Sequence, residues 1–187
     1  MRVVALLLLT AVSFLVRGQT VPEAKSECEV LLNEAMPFAE RMLREHGEFY
    51  PYGYEMMAAG EIKQVAGYTC TDHPKSQTII DLLIDGFKED SAVHKIKATA
   101  LVYDVLVVPP GASLKTDAIA VALDHRDNYS VTMIYPYVLS HGNLTVGTPF
   151  AQKGRSMVFN VAARNGSMWP VRQLPPVSGG NGSTPGF

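Results

Sequence analysis

Hydrophobic residues between positions 97 and 137 follow the two-residue period of β-strands in three successive runs. The first run, residues 97–108, is apolar on both alternating faces, which is typical of a central strand buried on both sides. The second run, residues 115–125, carries larger apolar residues on one face and a row of alanines on the other, where a helix could approach closely. The third run, residues 129–137, has tyrosines along one face. Because the connecting turns are short, these runs predict an antiparallel meander.

Apolar residues recurring every three or four positions predict two helices. The first covers residues 23–46, where Pro37 either kinks the helix or starts a new one. The second begins after Asp72-His73-Pro74, where we expect a helix cap. Residues 54–57 and 61–69 read as a hairpin between the helices, and residues 144–150 and 156–162 as two later strands. The predicted fold class is therefore α+β, an antiparallel sheet of five to six strands with two helices packed on one face.

Both ends of the chain differ in composition from its middle. Arg2 precedes an apolar run over residues 3–16, and a cleavage position follows it before Gln19. This pattern predicts a signal peptide over residues 1–18, with an uncleaved anchor helix as the alternative. Residues 170–187 are rich in Pro, Gly and Ser without periodicity, which predicts a disordered tail. We therefore expect a single domain over residues 19–169, secreted or periplasmic, with no membrane span after cleavage.

Charge and cysteine content narrow the classes of partner. The 187 residues include 16 Lys and Arg and 18 Asp and Glu, for a formal net charge of −2, and no basic patch is present. Nucleic acid is therefore not an expected partner. Export would allow Cys28 and Cys70 to form a disulfide, and the alternative is two buried, unpaired thiols.

The candidate catalytic residues are Asp104, Asp117 and His125. Asp104 lies in the middle of a very apolar run, where burial would raise the pKa of an unpartnered carboxyl group. Asp117 and His125 share one face of the next run. The alternative is a polar network that only fixes the ends of the sheet. The histidines show no metal-ligand spacing and no glycine-rich phosphate loop occurs, so neither a metal nor a cofactor is expected.

The candidate binding residues are aromatic. Residues 47–54 form a short run containing Glu48, Tyr50 and Tyr52, which could present an aromatic platform to a ligand. Tyr135 and Tyr137, from the tyrosine face of the third run, complete the predicted binding set. The alternative is that these rings seal a helix against the sheet.

Two motifs carry a resemblance to a known family. Residues 45–53 read EHGEFYPYG, and KTDAI at residues 115–119 is followed by DHR at residues 124–126. This pair resembles the HGEFYPFG-like loop and the KTDAI…EHR-like strand of a family of small uncharacterised bacterial proteins. Tyr52 and Asp124 replace a Phe and a Glu of that pattern. The resemblance implies a single α+β domain and assigns no activity or catalytic residue.

Three functions remain open from the sequence. The first is an exported, non-catalytic binding or envelope-associated domain whose partner is an unknown protein or an envelope ligand. The second is a small hydrolase-like enzyme that uses the Asp and His residues of the central meander. The third is a homo-oligomer whose tyrosine face forms the interface.

Overall fold

The computed structural model describes residues 21–71 and 73–159. These residues form two helices and seven strands in the following order: α1 (Val21–His46), β1 (Tyr52–Met57), β2 (Ile62–Ala66), α2 (Ser76–Ala92), β3 (Ile96–Val107), β4 (Thr116–His125), β5 (Tyr129–Ser140), β6 (Asn143–Val146) and β7 (Phe150–Lys153). The sheet order is β2-β1-β3-β4-β5-β6, with β7 also paired to β5. All of these pairings are antiparallel. The predicted α+β class and the central meander are confirmed.

The strand count exceeds the predicted five to six because one edge of the sheet is interrupted. β4 occupies one side of β5, so β6 and β7 share the other side. Tyr137 pairs with Val146 and Ile134 pairs with Phe150, so the register shifts between the two short strands. The Gly147 amide donates to the Pro136 carbonyl at this shift, over 2.7 Å. Seven strands therefore occupy six positions across the sheet.

The helices pack against opposite faces of the sheet, rather than against the one face predicted. The α1 face is the face whose buried side chains pack with α1: Ala98, Ala100, Val102, Ile119, Val121 and Leu123. The α2 face carries the neighbouring residues that pack with α2 or with residues 156–159: Leu101, Tyr103, Val105, Ala118, Ala120 and Ala122. Since β3 and β4 are apolar on both sides, each face needs its own cover.

Both helices follow from the sequence pattern with small differences. Pro37 lies inside a continuous α1, so the first helix is not divided. The helix ends at Gly47, which has a positive φ of 78° and donates its amide to the Leu43 carbonyl. α2 begins after Lys75, which makes no side-chain cap bond. The predicted cap residue Asp72 lies outside the described residues. Neither described helix combines the length and apolar character needed to span a bilayer.

The last predicted strand differs from the structure. Residues 156–159 form no strand and instead pass along the α2 face, where Val158 is buried. The rest of that prediction, residues 160–162, lies outside the described residues. The predicted signal peptide (1–18) and tail (170–187) lie outside them too and stay predictions.

A substitution at Gly53 tests the packing of α2 on the sheet. A Cβ atom at Gly53 would lie 2.3 Å from Cζ of Phe87, so Gly53→Ala should lower the free energy of unfolding by about 2 kcal/mol. The matched control is Gly86→Ala within α2, where the new methyl group meets nothing within 4 Å. That variant should raise the free energy of unfolding by about 0.5–1 kcal/mol. Urea titration of both variants checks this, and equal effects would contradict the packing described.

Candidate functional site: two polar clusters and an apolar patch

The three predicted catalytic residues lie on the α1 face but do not come together. Asp104 pairs with Ile119 across β3 and β4, and Asp117 pairs with Leu106. Asp117 and His125 are eight residues apart on β4, which is about 26 Å along an extended strand. No single substrate group can therefore contact both. The polar residues form two separate clusters, one at each end of the sheet.

His125 is the centre of the first cluster. The ring is fully buried, and its Nε2 atom lies 2.9 Å from Oε2 of Glu27 in α1. Its Nδ1 atom accepts a hydrogen bond from the Asp127 amide over 3.1 Å. An accepting Nδ1 carries no proton, so Nε2 carries the ring proton and donates it to Oε2 of Glu27. This geometry orients His125 as a structural donor beneath α1.

Lys97 completes the first cluster through a local irregularity in β3. Met56 pairs with Ala98 whereas Met57 pairs with Ile96, so Lys97 is an extra residue in the register. Such a bulge re-aims a side chain, and Lys97 donates from Nζ to Oε1 of Glu27. Glu27 is not among the site residues predicted from the sequence. A signal was present, since a lysine at the start of a strand buried on both faces requires a carboxylate partner.

The electrostatics of this cluster favour an ionised Glu27. Burial raises the pKa of the Glu27 carboxyl group, but hydrogen bonds from Lys97 and His125, together with the positive charge of Lys97, outweigh it and hold that pKa below its ordinary value. The pKa of the neighbouring Cys28 thiol is shifted in the opposite direction. Burial, with a smaller contribution from nearby carboxylates, raises the pKa of Cys28 to about 12. Cys28 is therefore a core residue in this structure and not an activated nucleophile.

The second cluster lies at the other end of the α1 face. Tyr137 donates from its hydroxyl group to both carboxylate oxygens of Asp104, each 3.3 Å away, and both residues are buried. Tyr135 pairs with Ile119 and is half-buried, and burial raises its pKa. Asp117 is half-buried in the neighbouring row. The structure thus brings Asp104 together with Tyr137, and leaves Asp117 and Tyr135 accessible beside them.

The predicted binding residues divide into core and surface. Tyr52 is buried, donates its hydroxyl group to the Ala35 carbonyl over 2.8 Å, and contacts the rings of Phe38 and Phe49. This contact agrees with the alternative in which the aromatic run seals α1 against the sheet. Tyr50 is 38% exposed and Glu48 is half-buried, so these two residues reach solvent.

The predicted disulfide does not form, because Cys28 and Cys70 are both free. Cys28 is buried between α1 and the sheet, whereas Cys70 is exposed in the segment after β2. That segment turns toward the other side of the sheet, since a Cβ atom at Gly67 would contact Ile79 of α2. The chain three residues before Cys70 thus lies on the α2 side of the sheet, whereas Cys28 lies on the α1 side. The alternative prediction of two buried thiols holds only for Cys28.

Exposed apolar side chains collect beside the second cluster. We call Leu106, Val108 and Leu114 the hairpin-end patch. Leu106 is the penultimate residue of β3, while Val108 and Leu114 belong to the loop between β3 and β4. The three side chains are 42%, 48% and 81% exposed, respectively. Val138 of β5 is also exposed, but it shares the α2 face with Ile134, whereas Leu106 lies on the α1 face, so Val138 lies outside the patch.

Within residues 21–71 and 73–159, no three His, Cys, Asp or Glu side chains form a group that could hold a metal ion. Comparisons of the chain with protein-family models, with curated proteins and with solved structures find no significant match. The family resemblance of residues 45–53 and 115–126 therefore stays a prediction.

Thiol labelling distinguishes the two cysteines. Native protein should release one equivalent of product from an aromatic disulfide reagent at pH 8, through exposed Cys70. Cys28, with a pKa of about 12, should react only after unfolding, because about one in ten thousand of its thiols is ionised at that pH. Denatured protein should therefore release two equivalents. Release of none under denaturing conditions would show a disulfide instead.

Replacing Glu27 tests the first cluster. Glu27→Gln leaves buried Lys97 without its carboxylate and should lower the free energy of unfolding by about 3 kcal/mol at pH 7. Because the folded state lowers the pKa of Glu27, its contribution is complete above about pH 4.5, the ordinary value, and is lost as the pH falls through the folded pKa. The gap between wild type and variant should therefore narrow at pH 3.5 in urea titrations.

The matched control for this experiment is Glu29→Gln. Glu29 forms an exposed pair with Lys25 over 3.7 Å. Its replacement should change stability by about 0.5 kcal/mol or less at pH 7. Similar losses from both replacements would show that the buried cluster has no special contribution.

Proposed function

We propose that this protein acts after export as a non-catalytic binding domain and that the hairpin-end patch is its contact surface. The observation that carries the proposal is the concentration of three exposed apolar side chains, Leu106, Val108 and Leu114, at the end of the β3–β4 hairpin. Single exposed apolar residues are ordinary on protein surfaces, whereas a contiguous group commonly marks an interaction site.

The surroundings of the patch favour a protein or an extended envelope ligand as partner. Lys115 is exposed between Leu114 and the start of β4, and Asp117 is half-buried two residues later. Tyr135 and Tyr50 add partly exposed rings near this end of the sheet. An apolar centre with a charged rim and accessible tyrosines has the composition of protein interaction surfaces.

The arrangement of the ionisable residues supports binding over catalysis. Glu27, Lys97 and His125 bond to one another in a buried cluster, and Tyr137 bonds to Asp104. These contacts fix the sheet to α1 and to β5. The export step rests on the predicted signal peptide alone.

A small hydrolase-like enzyme is the second candidate. The observation in its favour is that Asp104, Asp117 and Tyr137 lie at the same end of the α1 face. His125 would take no part, because it lies about 26 Å from Asp117 along β4. Ester or glycoside hydrolysis that is lost in Asp117→Asn and kept in His125→Gln would favour this candidate.

The hairpin-end patch can be tested with lysine substitutions. The secreted chain, whose amino terminus we expect at Gln19, is immobilised and exposed to envelope proteins and glycans. The double variant Leu106→Lys, Leu114→Lys should retain at least tenfold less of any ligand that wild type retains, since buried charges oppose an apolar interface. Leu82→Lys is the control, because Leu82 on α2 is 45% exposed, close to the 42% of Leu106. Equal retention by all three proteins would contradict the proposal.

Analytical ultracentrifugation of the same proteins identifies the case in which the partner is a second copy of the chain. A dimer that forms with rising concentration in wild type and in Leu82→Lys, but not in the double variant, assigns the patch to self-association.

A further inference from the structure

Three buried oxygen atoms on the α2 face share an unusual property. Within the described part of the chain, Oδ1 of Asp124, Oγ of Ser130 and Oε1 of Gln152 have no hydrogen-bond partner. The hairpin-end patch and α1 lie elsewhere, so these atoms belong to none of the contacts described above. Leaving buried polar atoms unpaired lowers the stability of a fold, and such atoms are rare in folded proteins.

The two carboxylate oxygens of Asp124 differ in their hydrogen bonding. Its side chain is buried, with 3% exposure, and its Oδ2 atom accepts three hydrogen bonds from residues 156–159, which we call the strap. The donors are the Ser156 hydroxyl at 3.1 Å and the amides of Met157 and Val158 at 2.8 and 2.9 Å. All three bonds end on one carboxylate oxygen. The Phe159 amide also interacts with the carboxyl group. The other oxygen, Oδ1, is enclosed and has no hydrogen-bond partner within the described chain.

The sheet register places the three residues together. Asp124 pairs with Ser130 across β4 and β5, and Thr132 pairs with Gln152 across β5 and β7. Ser130 and Thr132 are two positions apart, so Asp124, Ser130 and Gln152 all lie on the α2 face. Gly154 also approaches Ser130, and a Cβ atom there would lie 2.4 Å from the Ser130 hydroxyl oxygen. The outer strand therefore closes one side of this region.

Cross-strand geometry gives the separations. Asp124 and Ser130 lie directly opposite each other, so their Cβ atoms are about 5 Å apart. Gln152 is a diagonal neighbour of Ser130 across β5 and β7, about 7–8 Å away, which is within reach of a long side chain. One water molecule, with about 2.8 Å to each oxygen, can bridge groups at these separations.

We propose that Asp124 Oδ1, Ser130 Oγ and Gln152 Oε1 form a closed binding site for one water molecule. Water has two O–H donors for the carboxylate and amide oxygens, and it accepts one hydrogen bond from the Ser130 hydroxyl. Three hydrogen bonds are typical of buried waters in proteins. The bound water bridges β4, β5 and β7 beneath the strap.

The three oxygen atoms fit a water molecule better than a metal ion. Hard cations such as Ca²⁺ take six to eight oxygen ligands, and the three oxygens include a single carboxylate. The carboxylate and amide oxygens can only accept hydrogen bonds, so the site is complementary to a small molecule that donates them. A bound monovalent or divalent cation is the competing occupant, and the experiments below separate it from water.

Water–protein cross-relaxation on the isotope-labelled full mature chain tests the site. We expect cross-peaks between the water resonance and the side-chain amide of Gln152, with the sign of a residence time longer than about a nanosecond. Gln152→Leu should abolish the matching cross-peak at the Ser130 amide while leaving the chain folded. Gln64→Leu is the control, because Gln64 is exposed on the opposite edge strand and should leave that peak intact. Absence of any long-lived water at Ser130 in the wild type would overturn the proposal.

Thermal melting in different salts identifies a cation. Wild type should melt at the same temperature in NaCl, KCl and CaCl2 as in choline chloride at equal ionic strength. A cation-specific increase in melting temperature that disappears in Gln152→Leu would show that an ion occupies the site. That result would overturn the assignment to water, as would a crystal structure with density 2.3–2.6 Å from the three oxygens.

Discussion

The burial of β3 and β4 on both faces is the constraint on which the rest of the structure depends. A strand that is apolar on both sides cannot leave either side to water, so the sheet must be covered twice. α1 covers one face with a continuous buried stripe along its 26 residues. α2 and residues 156–159 share the other face, where the alanines of β4 allow close approach.

Because both faces are buried, each polar residue inside the sheet lowers the stability of the fold unless it has a hydrogen-bond or ion-pair partner. Lys97 and His125 meet Glu27, Asp104 meets Tyr137, and Asp124 meets the amides that follow β7. Each contact joins a central strand to a segment on its face or, for Asp104 and Tyr137, to the strand two positions away across β4. The polar groups therefore select which segment lies where, while the apolar residues supply most of the stabilisation.

Much of the fold could be predicted from local pattern, because strand period and helix spacing are written into short windows of sequence. The meander shows this, since its three strands lie within a few residues of their predicted bounds. The face that each helix covers could not be predicted, because it depends on which side of the sheet the chain crosses. The same limit applies to the thiols, because export would allow a disulfide, but Cys28 is buried under α1 while Cys70 is exposed after β2. The role of Glu27 could not be predicted from its own helix, because nothing there reveals a lysine 70 positions away.

The interrupted strand pair β6 and β7 has a consequence for how the protein behaves in a crowded environment. Long, flat outer strands present free amides and carbonyls to other chains and promote fibrous association. Here the outermost ribbon is split into two segments of four residues, with Gly147 and Pro149 in the break. Proline has no amide hydrogen to offer and the break disturbs the ladder. The margin beside β5 is therefore a poor template for stacking further copies.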